Sequence, residues 1–232
     1  MKYLMYQYYR TPTSGRTRDH LEVRDEYWNL SRASFKQYAK EIGAEYKFLS
    51  HEHKLDPFYG VFLPFEEGWV NDYDAVCFTD SDMLVTTNYK NVFEESSKDS
   101  ISGYFMTTGA WKNKPRLEFL KDQNGHMNSG CVVIPRSQYG PLTNYIKSNL
   151  SEHHKKVIAN DPIIGALGKY DQAFFNLYLC EQKKAHKLDH NFNYHLGRLA
   201  YNEKRWDATF IHYHRGNKHK MKDDWKDSRV LK

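Results

Sequence analysis

Two carboxylates stand one residue apart in the stretch YDAVCFTDSDMLV, residues 73–85, at Asp80 and Asp82. Apolar Ala75, Val76, Cys77 and Phe78 lead in, and Met83, Leu84 and Val85 follow. Two carboxylates that close repel each other unless protons or a cation intervene. Hard divalent ions such as Mn²⁺ or Mg²⁺ take oxygen ligands and keep positions open for substrate phosphates. The pair is therefore half of a candidate metal site. Alone, the same pattern also reads as one capping and one solvated aspartate.

Three later stretches carry further chemistry. In HMNSGCVVIP (126–135), Asn128, Ser129 and Gly130 read as a tight polar turn ahead of a strand. In YDQAFFNLYL (170–179), Asp171 and Gln172 open an apolar helix, where an acidic residue also suits the helix N-terminus. In FIHYHRGNKHK (210–220), an apolar strand leads to His212 and His214, then Gly216, then Lys218. A histidine at a strand end can complete a metal site. A glycine lets backbone approach a diphosphate, and a lysine neutralises it as a point charge.

The elements that must position these groups follow from pattern. Residues 3–9 read as a strand, followed by the polar loop RTPTSGRTR (10–18). Asp19 and Glu22 have capping-box spacing. Leu21, Trp28, Phe35 and Ile42 recur every seven residues, predicting an amphipathic helix that ends near Gly43. AEYKFLS (44–50) reads as a second strand, so strand–helix–strand order predicts a right-handed crossover and parallel pairing. Residues 56–72 read as an irregular helix broken at Pro57, Pro64 and Gly68. Strands are predicted at SISGYFMTT (100–108), SGCVVIPRS (129–137) and ATFIHYH (208–214). Helices are predicted at 141–151 and 171–183, with residues 116–126 helical or irregular. This alternation predicts one α/β domain over 1–232: a mixed, mostly parallel central sheet flanked by helices, with 220–232 as a basic C-terminal tail. In such sheets ligands collect beyond the carboxyl ends of strands, and Asp80 and Asp82 fall at such an end.

Composition narrows the classes. The chain has 232 residues, 40% hydrophobic and 16% aromatic, enough to build a core. No window approaches the ~20 apolar residues of a membrane helix. The start, MKYLMYQYYR, reads as a strand and not as a signal peptide. Three widely spaced cysteines, Cys77, Cys131 and Cys180, read as buried free thiols of a reducing compartment, so a cytoplasmic location is expected. Net charge is +5, but Lys183–Lys232 holds thirteen Lys/Arg against six Asp/Glu (13 − 6 = +7), leaving −2 for the rest. A basic segment can draw nucleic acid, a membrane surface or a phosphorylated ligand. The aromatics sit in core-like strands and no recognition motif is visible, which weighs against nucleic acid.

The order of these features resembles the GT-A-fold nucleotide-sugar glycosyltransferases, particularly the glycogenin-like group of glycosyltransferase family 8, over roughly residues 3 to 220. In that family an Asp-x-Asp strand end precedes an Asn-Ser-Gly turn, an Asp-Gln helix start and a His-x-x-Gly-x-x-Lys-Pro-Trp segment. Here they read Asp80-Ser81-Asp82, Asn128-Ser129-Gly130 and Asp171-Gln172. From His212 the lysine spacing is kept at Lys218, Gly216 lies one residue late, and His219-Lys220 replaces Pro-Trp. His212 is the favoured ligand and His214 the runner-up. Small glycosyltransferases of large algal viruses look similar in length and layout, which would place a viral protein in the host cytoplasm.

The resemblance implies a single GT-A (Rossmann-like) domain. It implies transfer of a sugar from a nucleotide-diphosphate sugar, with a UDP-sugar expected, to a glycan, glycoprotein or glycolipid acceptor. It implies Mn²⁺ (or Mg²⁺) held by Asp82, His212 and Asp80, with Asp80 also on the ribose and Ser81 beside the donor. Lys218 and the backbone around Gly216 would meet the diphosphate, and Tyr8 would stack on the base. Asn128, Asp171 and Gln172 would hold the donor sugar, with Asp171 and Gln172 framing the reacting face and Trp111 as an acceptor platform. Retention of configuration is implied; inversion would leave Asp171 as the one nameable base. Other readings are a sugar-nucleotide pyrophosphorylase, a metal-dependent phosphoesterase and a basic nucleic-acid-binding module. Replacing Asp82 by alanine is expected to end ion-dependent turnover with little loss of fold.

Overall fold

The computed structural model describes residues 1–9, 25–51, 53–106 and 117–232. The loop 10–18, the capping pair Asp19 and Glu22, and Trp111 lie outside the described residues.

Strand β1 (Tyr3–Tyr8) is followed by helix α1 (Asp25–Glu41) and β2 (Glu45–Leu49). The stretch 56–72 is indeed broken: 3₁₀ turns at Pro57–Phe62 and Trp69–Asp72 flank the short α2 (Leu63–Glu66). Then come β3 (Ala75–Thr79), β4 (Met83–Val85), β5 (Ser102–Met106), α3 (Glu118–Asp122) and β6 (His126–Pro135). Helix α4 (Tyr139–Ile158) is longer than the pattern predicts. It precedes α5 (Pro162–Ala166), α6 (Tyr170–Gln182), β7 (His186–Lys187), β8 (Tyr194–His195), β9 (Phe210–His212) and α7 (Lys218–Trp225).

The main sheet has the order β2-β1-β3-β6-β5-β7. Strands β2 and β3 run parallel to β1, β7 runs parallel to β5, and β6 is antiparallel to both β3 and β5. Only β6 opposes the other five, so the sheet is mixed and mostly parallel. Both faces are buried, and alternation sorts the side chains. Leu4, Tyr6, Val76, Phe78, Val132 and Ile134 meet α4 and α6 on one side. Met5, Cys77, Cys131 and Val133 meet Phe35, Tyr38 and Ala39 of α1 on the other. Each such large apolar side chain contributes about 1.5–3 kcal/mol when fully buried. Cys77, Cys131 and Cys180 are free thiols. Among the described residues no helix is long and apolar enough to cross a membrane.

One local expectation holds and two are corrected. Asp80 and Asp82 fall at the carboxyl end of β3, where Asp80, Ser81 and Asp82 form the corner at which the chain leaves the main sheet. Beyond it β4 joins a small second sheet, β4-β9-β8. The polar triplet cannot stay in a strand buried on both faces, so the chain turns there. Asn128–Gly130 is no turn but lies inside β6, every residue of which is buried. Its polarity is absorbed by side chains: the Asn176 amide accepts from Met127 N–H at 2.7 Å and donates to Met127 O at 2.8 Å. Residues 220–232 fold back and are not a tail. Met221 and Asp224 are buried, Val230 bridges Thr86, and the Leu231 N–H donates to Val85 O at 2.9 Å.

Candidate active site

The corner and β9 build the site together. Antiparallel pairing sets Met83 opposite His212, and the Tyr213 N–H donates to Asp82 O at 2.8 Å. Asp80 is tied to the main sheet instead: its N–H donates to Gly130 O at 2.9 Å, and its carbonyl accepts from Gln7 Nε2 at 2.9 Å. The corner is thus pinned from two sheets. Ser81 is the partly exposed residue between the aspartates.

His212 Nε2 lies 3.2 Å from Asp82 Oδ1 and 3.5 Å from Asp80 Oδ2. Lys218, at the start of α7, puts its Nζ 3.0 Å from Asp82 Oδ2. Although His212 is 1% exposed, its Nε2 makes no aligned hydrogen bond. Asp80, Asp82 and His212 offer one ligand atom each, all within 4.8 Å of one another. A buried imidazole nitrogen with no aligned hydrogen bond, facing two carboxylates, is the donor set a divalent cation requires, so these residues fit one. His214 belongs to a different group, with His195 and His212.

The charges respond unequally. Burial first, then the neighbouring Asp82 charge, push the Asp80 carboxyl up to about 6, against the pull of His212 and Lys218. Burial acts on Asp82 too, but Lys218 and His212 outweigh it and hold that carboxyl well below the usual range. Burial opposes charge on His212, yet Asp82 and Asp80 raise it overall. Asp82 is therefore already paired, with Lys218 and His212.

The floor of the site is β6. The Gly130 N–H donates to Asn128 Oδ1 at 2.9 Å, and Asn128 Nδ2 donates to Gln172 Oε1 at 2.9 Å. A Cβ on Gly130 would stand 2.8 Å from His212 Cε1 and Nδ1, so only glycine lets the imidazole lie over this strand. The chain enters α6 through three successive residues at positive φ: Gly168 (101°), Lys169 (62°) and Tyr170 (32°). Two of these are not glycine, a strain that persists where surrounding structure demands it. It delivers Asp171 and Gln172 to the site, with Gln172 Nε2 donating to Leu167 O at 2.9 Å. Burial and the nearby Asp80 raise the Asp171 carboxyl to about 7, against hydrogen bonds from Ser129 and from backbone.

Two expected donor-binding residues stand differently. Tyr8 is 9% exposed, its hydroxyl donating to His51 O at 3.1 Å. Its ring lies so close over Gly60 that a Cβ there would meet it at 2.2 Å. The next residue, partly exposed Tyr9, stacks on Trp28 at 5.4 Å. Gly216 lies exposed in the 3₁₀ turn Arg215–Asn217, where a Cβ would meet open space.

Sequence reading missed Asn193. It is fully buried just before β8; its Nδ2 donates to Asn128 Oδ1 at 2.6 Å, and its Oδ1 lies 3.0 Å from His212 Nδ1. Nothing in HNFNYH marks it, because its role depends on a histidine nineteen residues away, brought near by the pairing of β8 with β9.

The architecture is shared. The fold matches that of a glycosyltransferase involved in the glycosylation of the major capsid of PBCV-1, with a TM-score of 0.52 and 12% identity over 97% of this chain and 99% of that one. It also matches mouse xyloside xylosyltransferase 1, with a TM-score of 0.51 and 14% identity over 91% and 97% of the two chains. No curated protein matches in sequence. The sequence model described as Glycosyl transferase family 8 matches residues 71–222, which contain the acidic corner, the β6 floor, the α6 entry and the β9 histidine. The chain belongs to glycosyltransferase family 8, and it is a glycosyltransferase of GT-A fold.

Proposed function

We propose that this chain transfers a sugar from a UDP-sugar to a hydroxyl of a glycan, glycoprotein or glycolipid, with retention, and that it needs Mn²⁺ or Mg²⁺ held by Asp80, Asp82 and His212. The observation that carries this is the buried, unpaired His212 Nε2 facing both carboxylates. A divalent ion bound there supplies charge stabilisation to a leaving diphosphate.

The chain's own groups do the rest. Lys218 faces the same space and neutralises phosphate charge, with the exposed turn at Gly216 leaving its backbone open to the diphosphate. Asp80 and Ser81 edge the ribose. The nucleobase reading is best supported at Tyr9, which has an exposed edge and the Trp28 ring behind it, while Tyr8 supports that wall from the core. Asn128, Asp171 and Gln172 hold the donor sugar. The Gln172 amide is gripped at both ends, so its carbonyl oxygen keeps a lone pair in a fixed direction to shield a cationic sugar carbon. Free thiols at Cys77, Cys131 and Cys180 suit a reducing compartment such as the cytoplasm.

Calorimetry of UDP and UDP-sugars tests the reading. Binding should need Mn²⁺ and be lost with EDTA or in His212→Ala; equal binding without divalent ion would refute it. A second reading, inversion with Asp171 as base, is favoured by its carboxyl titrating at about 7, close to working pH. The anomeric proton coupling of the first product, read by NMR, separates the two.

A further inference from the structure

We propose that Asn193 is a positioning residue: it fixes His212 with a proton on Nδ1 and a lone pair on Nε2, and it couples the ion site to the sugar site. The coupling rests on the reading of His212 as an ion ligand; the tautomer does not.

The argument starts from a group with no choice. A backbone N–H can only donate, and Gly130 N–H points at the Asn128 amide at 2.9 Å. The atom facing it is therefore oxygen. That same Oδ1 receives Asn193 at 2.6 Å, so Asn193 must present its nitrogen there. Its oxygen then faces His212 Nδ1 at 3.0 Å, and an oxygen of this kind only accepts, so Nδ1 carries a proton. In the neutral ring Nε2 then keeps its lone pair toward Asp80 and Asp82.

The other half of the relay is anchored as firmly. Leu167 C=O can only accept, and it takes Gln172 Nε2 at 2.9 Å. Gln172 Oε1 must then face Asn128 Nδ2, as it does at 2.9 Å. Two backbone groups, Gly130 N–H and Leu167 C=O, thus set the orientation of three side-chain amides and one imidazole, with every assignment consistent. Among the described residues Asn193 alone hydrogen-bonds both the imidazole and a sugar-site amide. It is fully buried. Partners of a ligand histidine commonly set its affinity for the ion by 10–100-fold.

The two functions of Asn193 separate by substitution. Asn193→Ala removes both, so Mn²⁺ affinity, read from the free-ion EPR signal, should fall about 10–100-fold. Asn193→Asp still accepts from His212 Nδ1–H but no longer donates to Asn128. Its Mn²⁺ affinity should stay near wild type, while KM for the donor rises and kcat falls. Asn193→Ala with wild-type Mn²⁺ affinity would overturn the proposal, as would Asn193→Asp losing Mn²⁺ affinity as fully as alanine. If His212→Ala itself binds Mn²⁺ as wild type does, the ligand reading has failed and not the relay. One measurement needs no variant. In metal-free wild type at a pH where His212 is neutral, ¹⁵N-correlated NMR should show the Nδ1–H tautomer. On adding Mg²⁺ the Nε2 resonance should shift. A protonated Nε2 with bare Nδ1 ends the proposal even if every Asn193 variant fails to fold.

Discussion

Two buried charge clusters meet at adjacent residues, Tyr213 and His212, and they are built to opposite rules. Around Arg205 the guanidinium, the Asp224 carboxylate and two tyrosine hydroxyls answer one another. Its guanidinium grips Asp224 through Nε at 3.1 Å and Nη2 at 2.9 Å, and Nη1 donates to Asn202 O at 2.7 Å. Tyr201 and Tyr213 hydroxyls each donate to the same carboxylate at 2.6 Å, and the guanidinium stacks over Tyr201 and Trp206. One residue before Tyr213, His212 faces two carboxylates with an unpaired Nε2, and Asp80 is pushed toward its neutral form. The first cluster is closed by one cation held against one anion. The second holds a surplus of oxygen ligands and an imidazole nitrogen with no aligned hydrogen bond. A saturated buried network holds an architecture together, whereas an unsaturated one is kept for something that arrives from outside.

Substitutions that attack this contrast should differ in kind. The largest effect is expected for Asp82→Ala, which removes a ligand and the partner of Lys218: turnover should drop by ~10³–10⁴-fold, roughly 4–5.5 kcal/mol of barrier. Retained activity under saturating Mn²⁺ would show that Asp82 is not a ligand. Next is Arg205→Ala. It strands Asp224 without its cation and should cost about 3–5 kcal/mol of stability by denaturant melts. The surviving folded fraction should keep near-normal KM; a specific loss of donor affinity would mean the clusters are not separable. Gly130→Ala comes third, because its methyl would press on His212 and on Asn128 Oδ1. About 1–3 kcal/mol is expected, with weakened Mn²⁺ binding in the same melts and titrations; an unchanged Mn²⁺ affinity would deny the close approach.

The smallest effect is on the metal-free fold. Asp80 titrates at about 6 when folded, above its usual value of 3.8. A raised carboxyl favours the folded state below the unfolded pKa, and that contribution is lost as pH rises through 6. Above pH 6, then, the charged Asp80 works against the apo fold. Asp80→Asn should raise Tm at pH 7.5 without divalent ion by about 2–4 °C, the shift that ~1 kcal/mol makes in a chain this long. It should do little at pH 4. Asp82, whose carboxyl is depressed, should behave oppositely: Asp82→Asn should lower the apo Tm at pH 7.5. If both asparagine variants shifted Tm in the same direction, the unequal partition of charge would be wrong.

Local pattern carried a good part of this molecule. Apolar alternation marked β1, β3 and β9, and the seven-residue recurrence from Trp28 to Ile42 marked α1, because strand and helix periodicity are written into neighbouring residues. Residue type and order alone also brought forward Asp80, Asp82, Asp171, Gln172, His212 and Lys218. Tertiary structure decided what local pattern does not contain. It bent the apolar stretch 73–85 into two sheets, drew Asn128–Gly130 into the interior of β6, and folded 220–232 onto β4. It also chose His212 over His214 for the carboxylates, through the pairing of β4 with β9. Asn193 shows the limit most clearly: an unremarkable asparagine becomes the link between imidazole and amides only when β8 lies beside β9 and above β6. Periodicity is a property of a few consecutive side chains. Register between distant strands is set by the summed burial of both cores, and no short segment holds that sum.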